Sequence, residues 1–254
     1  MQSKLISLLF LLLSIAMLSG CAGKGKLMDG EEGRLIYEEG LSLYKKERYN
    51  DAIKMFEKVL EEYPLGPYAA KSALFIADSH YYNKAYRDAY TQYTDFIDLH
   101  PAHSRTPYAL YQKGMSSYKR ILPVDRDQSA TKKALLDFNK LISLYPENAY
   151  SEKAEQLVKE CRKRLADREA YIALFYMKSK NYRGALIRLK GIIKEYPEAG
   201  INDKVLFNIG KAYIGLGEDD KAKETFVEFI SLYPDNEFID EIKGLIELEP
   251  KEGR

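Results

Sequence analysis

The chain has 254 residues, a formal charge of +1, 21 tyrosines, no tryptophan and two cysteines. So even a balance supplies no global phosphate-binding field, which sets nucleic acid aside as a partner. Two cysteines are too few for a disulfide framework or a zinc-type cluster, and the length allows one or two ordinary domains.

At the N-terminus, Met1–Lys4 carries one positive charge, Leu5–Leu18 is an apolar run, and Ser19-Gly20-Cys21 closes it with small residues. At about 1.5 Å per residue the run spans roughly 21 Å, short of the ~30 Å hydrocarbon core. It reads as an export signal, not a permanent span. Leu18-Ser19-Gly20-Cys21 resembles the lipobox, where lipoprotein signal peptidase cuts once the cysteine is diacylated. That resemblance implies that residues 1–20 are removed and that Cys21 is the lipid-attachment site; no other cofactor is expected. Residue 22 is alanine and not aspartate, which in Gram-negative sorting implies the outer membrane, with the protein body in the periplasm. Losing Lys4 leaves 38 basic and 38 acidic side chains. Residues 21–33 read as a lipidated tether, polar and glycine-rich, reaching roughly 20 Å from the bilayer. No second apolar run approaches 18 residues, so no further span is expected.

From residue 34 onward a repeat governs the chain. A small residue is followed 4 positions later by a large apolar one and 12 positions later by proline. The triplets are Ala52/Phe56/Pro64, Ala89/Tyr93/Pro101, Ala134/Phe138/Pro146, Ala185/Leu189/Pro197 and Ala222/Phe226/Pro234. Tyrosine precedes every one of these prolines except Pro101, which follows His100. A second small residue (Gly40, Ala77, Gly114, Ala173, Gly210) stands 12 residues before the alanine, except in repeat three, where the gap is 20.

Small residues let two helices approach, and the large residue one turn on fills the facing hole. Proline cannot continue a helix and disfavours helical geometry in the residue before it. Each unit is therefore a helix-turn-helix that buries its apolar face only by stacking on neighbours. The pattern resembles the tetratricopeptide repeat and implies an all-α solenoid of five repeats.

Repeat three carries eight extra residues around Ile121–Asp127, expected as a long polar loop. The distance from Ala134 to Ala173 is 39 residues against 25 at the other junctions. That surplus, with no proline or glycine in 151–178, predicts one long central helix. It divides repeats one to three (34–150) from the long helix with repeats four and five (151–244), leaving a tail at 245–254. Cys161 shares a helix face with Ala154, Leu157, Val158 and Leu165 and is expected in the core.

Little argues for catalysis. There is no G-x-S-x-G elbow and no phosphate-binding glycine loop. Gly215-Leu216-Gly217 reads as the turn inside repeat five. His100 and His103 flank an inter-repeat turn without an obvious third ligand, so no metal is expected. Solenoids bind through a surface lined mainly by first helices. Four residues after the first-helix small residue stand Tyr44, Tyr81 and Tyr118, replaced later by Met177 and Ile214. Tyr37 and Tyr111, three residues before Gly40 and Gly114, extend the same face. These tyrosines either pack between helices or form a ladder of rings for a peptide with apolar anchors.

Five such repeats behind a lipobox resemble the BamD family, the tetratricopeptide lipoprotein subunit of the outer-membrane β-barrel assembly machinery. Local matches are Tyr63-Pro-Leu-Gly-Pro-Tyr68, Val124-Asp-Arg-Asp127, and Arg188-Leu-Lys-Gly191 ahead of Tyr196-Pro197. The resemblance implies a non-enzymatic protein whose first three repeats receive unfolded outer-membrane proteins. Repeats four and five would dock on the periplasmic domains of the barrel-forming subunit, beside other assembly lipoproteins. Arg188 is expected to make a charged contact there; read alone, it is a solvated arginine. The repeat by itself also fits a lipoprotein that scaffolds cell-wall or DNA-uptake machinery.

Overall fold

The structure is a computed structural model, and it describes residues 30–246. The expected signal, Cys21 and most of the tether lie outside the described residues, as does most of the expected tail. The described chain is all-α. Its helices are α1 (Gly30–Lys45), α2 (Tyr49–Glu62), α3 (Ala69–Tyr82), α4 (Tyr86–Leu99), α5 (Thr106–Tyr118), α6 (Ser129–Leu144), α7 (Ala149–Lys178), α8 (Tyr182–Glu195), α9 (Asn202–Leu216), α10 (Asp219–Leu232) and α11 (Ile239–Ile246). None of them is long and apolar enough to cross a membrane. The chain divides into two compact units, parting inside α4 between Phe96 and Ile97.

In the first unit α1 packs on α2 and α2 on α3, around Tyr37, Ala52, Ile53, Phe56, Val59 and Ile76. The expected knob and hole are there: a Cβ on Gly40 would lie 2.7 Å from the Phe56 ring. Between α3 and α4 the hydroxyl of fully buried Tyr93 donates to the Asp78 carboxylate at 2.5 Å.

The second unit repeats this contact twice, with Gly114 against Phe138 and Gly210 against Phe226. Phe226 belongs to a core with Leu189, Ile192, Val205, Phe207, Phe229 and Ile242. The central helix is as long as expected: α7 runs 30 residues, packing on α6 and α8, with Asn148 accepting the Tyr150 backbone N–H at its start. Cys161 lies fully buried on it. Burial pushes the Cys161 thiol up to about 12.

Helix ends follow the proline rule. Tyr63, Tyr145, Tyr196 and Tyr233, each before a proline, close α2, α6, α8 and α10 with φ between −132° and −138° and ψ between 51° and 61°. That is off the helical region, as the following ring demands. Each still donates its N–H to the carbonyl four residues back.

The turns inside repeats are Schellman closures. Arg48, Ala85, Asn181 and Glu218 donate backbone N–H to Leu43, His80, Tyr176 and Tyr213. The residue before each donor is left-handed: Glu47, Lys84, Lys180 and Gly217, at φ 58° to 72°. The reading of Gly215-Leu216-Gly217 as a turn is therefore corrected. Only Gly217 turns; Gly215 lies inside α9, where a Cβ would come within 2.5 Å of the Tyr182 ring. Repeat three replaces this closure with the expected loop. A short further helix, α11, follows the fifth repeat and buries Ile242.

Candidate functional site

The tyrosines singled out by register fall into both units. In the first, the Tyr37 ring is buried, 5.0 Å from Tyr68, 5.8 Å from Phe56 and 6.1 Å from Phe75. Tyr44 is half-buried, 5.2 Å from Phe75, 5.5 Å from Tyr49 and 6.1 Å from Tyr82. Burial first, then the nearby Asp78 charge, raises the Tyr44 phenol above its ordinary range. Tyr81 stands 5.5 Å from Tyr82 and 5.4 Å from Tyr86. The structure thus gathers Tyr37, Tyr44 and Tyr81 among further rings that the register did not single out.

In the second unit Tyr111 packs 5.4 Å from Tyr150 and 6.1 Å from Phe138. Tyr118 donates its hydroxyl to the Glu160 carboxylate of α7 at 2.5 Å. That bond, ahead of burial, raises the Tyr118 phenol. Tyr44, Tyr81, Tyr111 and Tyr118 each keep part of the ring in solvent. They hold helices together and offer apolar edges at once, as tyrosine does where one end is wet.

A pattern missed in the sequence accompanies them. Counting from Tyr-Pro or His-Pro, the fourth and seventh residues after proline pair an aromatic ring with a cation at three junctions. Lys71 lies 5.6 Å from the Tyr68 ring, Arg105 4.7 Å from Tyr108, and Lys153 5.5 Å from Tyr150. Order of cation and ring swaps at the second junction, which hid the spacing.

Arg188 points from α8 to α7, its Nη1 2.8 Å from a Glu169 oxygen. With Tyr176, Asn181, Ile187, Gly191 and Glu195 the pair lines an open cleft in repeat four. Nothing lies within 4 Å of where a Gly191 Cβ would stand, and Ile187 is 73% exposed. A partly exposed pair of this kind contributes roughly 0–1 kcal/mol, so a competing carboxylate can displace it cheaply. His103 Nδ1, by contrast, accepts the Arg105 backbone N–H.

Residues 31–229 match the family model "YfiO: Outer membrane lipoprotein". The chain belongs to the BamD family. "Outer membrane protein assembly factor BamD" of Rickettsia prowazekii is 31% identical over 223 residues, 87% of this chain and 89% of that protein. Its Caulobacter vibrioides counterpart is 28% identical over 212 residues, 82% of this chain and 70% of that protein. Among solved structures, one titled "Crystal structure of MamA protein" overlays with a TM-score of 0.38 at 18% identity, covering 81% of this chain and 93% of that one.

The segments that carried the BamD resemblance take distinct places. In Tyr63–Tyr68 the first ring is buried, donating its hydroxyl to Glu32 at 2.8 Å, while Leu65 is 95% exposed. The Val124–Asp127 loop is firmly held. Buried Gln128 donates to the carbonyls of Pro123 and Arg126, Arg168 of α7 donates to that of Val124, and Asp127 accepts from Ser129. In the third segment Arg188 faces the cleft while Leu189 is core.

Proposed function

We propose that this BamD-family chain is a non-enzymatic scaffold of the β-barrel assembly machinery, held on the periplasmic face of the outer membrane by lipid on Cys21. Repeats one to three receive unfolded outer-membrane proteins on the edges of Tyr44, Tyr81, Tyr111 and Tyr118. The cleft around Arg188 docks the periplasmic domains of the barrel-forming subunit, with other assembly lipoproteins alongside. One observation carries this division of labour: at one register position repeats one to three present the half-buried Tyr44, Tyr81 and Tyr118 where the later repeats have Met177 and Ile214, and the open charged cleft lies in repeat four.

Detergent solubilisation of the native membrane, pull-down and mass spectrometry test the reading. It requires an integral β-barrel subunit as a stoichiometric partner. Recovery of peptidoglycan enzymes or pilus proteins in its place overturns it.

A further inference from the structure

The second half of α7 has two unlike sides. One buries Leu165, Ala166 and Ala173 and turns Glu169 to Arg188. Another, read every three or four residues, carries Arg164, Arg168, Tyr171, Leu174, Phe175 and Lys178. Tyr171 is 47% exposed, Leu174 44% and Phe175 63%. Helix faces normally put polar residues outward, so three adjacent exposed apolar side chains on a well-formed helix mark an interaction surface.

The charges say what kind. Arg164, Arg168 and Lys178 form no ion pair among the described residues. Arg168 donates to the Val124 carbonyl, lies 5.7 Å from the Tyr171 ring and acts electrostatically on the Asp127 carboxylate, so Arg164 and Lys178 are the cations left for a partner. The carboxylate on the same face, Asp167, is already engaged with Lys163. At ~1.5 Å per residue, Arg164 and Lys178 stand roughly 21 Å apart along the axis, with the apolar group between them.

We propose that this face of α7 docks an acidic amphipathic helix of a partner protein, whose apolar centre covers Tyr171, Leu174 and Phe175 while carboxylates toward its ends meet Arg164 and Lys178. A helix matches the stripe in rise and in the spacing of its anchors, so ridges and grooves meet along the whole length. An anionic bilayer fits less well, because Tyr171 and Leu174 are each less than half exposed and do not stand proud enough to enter the acyl region. The surface is separate from the Arg188 cleft. Loss of one therefore leaves the other testable.

The probe is a labelled 18-residue helical peptide with leucines on one face and glutamates toward both ends, titrated by anisotropy against the mature protein in detergent. A second peptide carries lysine in place of every glutamate. The acidic peptide is expected to bind about tenfold or more tightly at low salt. Phe175→Ser, and separately Leu174→Ser, should each weaken it about tenfold, with circular dichroism unchanged because both side chains are exposed. Arg164→Glu with Lys178→Glu should invert the preference between peptides. Equal binding of both peptides, or indifference to Phe175→Ser and Leu174→Ser, overturns the proposal. So does a sedimenting dimer that Phe175→Ser dissolves, since a second copy then covers the stripe. Pelleting with phosphatidylglycerol vesicles that Phe175→Ser abolishes, without peptide binding, overturns it in favour of the membrane.

Discussion

The ring of Phe138 occupies the space that a side chain on Gly114 would need: a Cβ there would stand 2.5 Å from the ring edge. Phe138 is fully buried and cannot swing away without opening a cavity. Gly114→Ala should therefore cost about 1–3 kcal/mol by overpacking, despite alanine's better helix propensity. Ala89→Leu and Ala222→Leu should behave alike. Denaturant midpoints measure it, and unchanged midpoints in all three variants contradict the contact.

The left-handed turn positions give a prediction of opposite sign. Lys180 adopts φ 58° where repeat five has Gly217 at φ 72°. A non-glycine residue in that region costs ~1–2 kcal/mol, against ~0.5–1 kcal/mol for glycine's extra freedom when unfolded. Lys180→Gly should thus gain about 0.5 kcal/mol and Gly217→Ala lose about 1 kcal/mol. Thermal melts of the two variants should move in opposite directions.

How much of this was readable in advance depends on whether a feature is local. Tyr-Pro boundaries, the Gly40–Phe56 type of contact and the length of α7 follow from proline geometry, side-chain size and a run without breakers, all visible along the chain. The left-handed residues were not, because Glu47, Lys84 and Lys180 carry no mark of their conformation, while Gly215 carried a false one. Tyr118 and Glu160 are 42 residues apart, and only the placement of α7 against α5 brings them together. The parting of the two units inside α4 has no compositional signature either.

Tyrosine and arginine variants should separate the proposed roles. Tyr44→Ala, Tyr81→Ala and Tyr118→Ala should each weaken an aromatic-ended outer-membrane peptide by about 1–2 kcal/mol while the complex with the barrel subunit survives. Arg188→Glu should impair that complex and spare peptide binding. Tyr37→Ala belongs apart from them: its ring is buried, so about 3 kcal/mol of stability should go before any binding effect can be read. Circular dichroism must match wild type first. Loss of both partners in both sets of variants contradicts the division.

On the proposed anchor, Cys21→Ser should leave uncleaved or mislocalised precursor, because it removes the thiol proposed as acyl acceptor. Intact mass should show the mature wild-type chain beginning at Cys21 with acyl mass attached. A lipid-free chain starting elsewhere rules out the anchor.

Cys161 should resist maleimide at pH 8 in the folded protein and react only on unfolding. Its thiol ionises at about 12 when folded against 9.0 for an ordinary thiol. A folded value raised this way contributes stability that is complete below 9.0 and lost as pH rises towards about 12. Cys161→Ala should therefore show a shallower alkaline decline in melting temperature than wild type. Fast labelling of folded protein contradicts the burial.

The surplus in α7 sets a phase as well as a length. At about 100° per residue, the 14 residues by which the Ala134–Ala173 junction exceeds the others fall only about 40° short of four full turns. Ala173 thus meets α8 from nearly the azimuth it would have had without them, moved ~21 Å along the axis. An insertion of 12 or 16 residues would have turned that small side chain away from α8 and brought a larger one to face it. α7 works as an indexed extension rod: it changes reach while leaving the coupling at its far end in register.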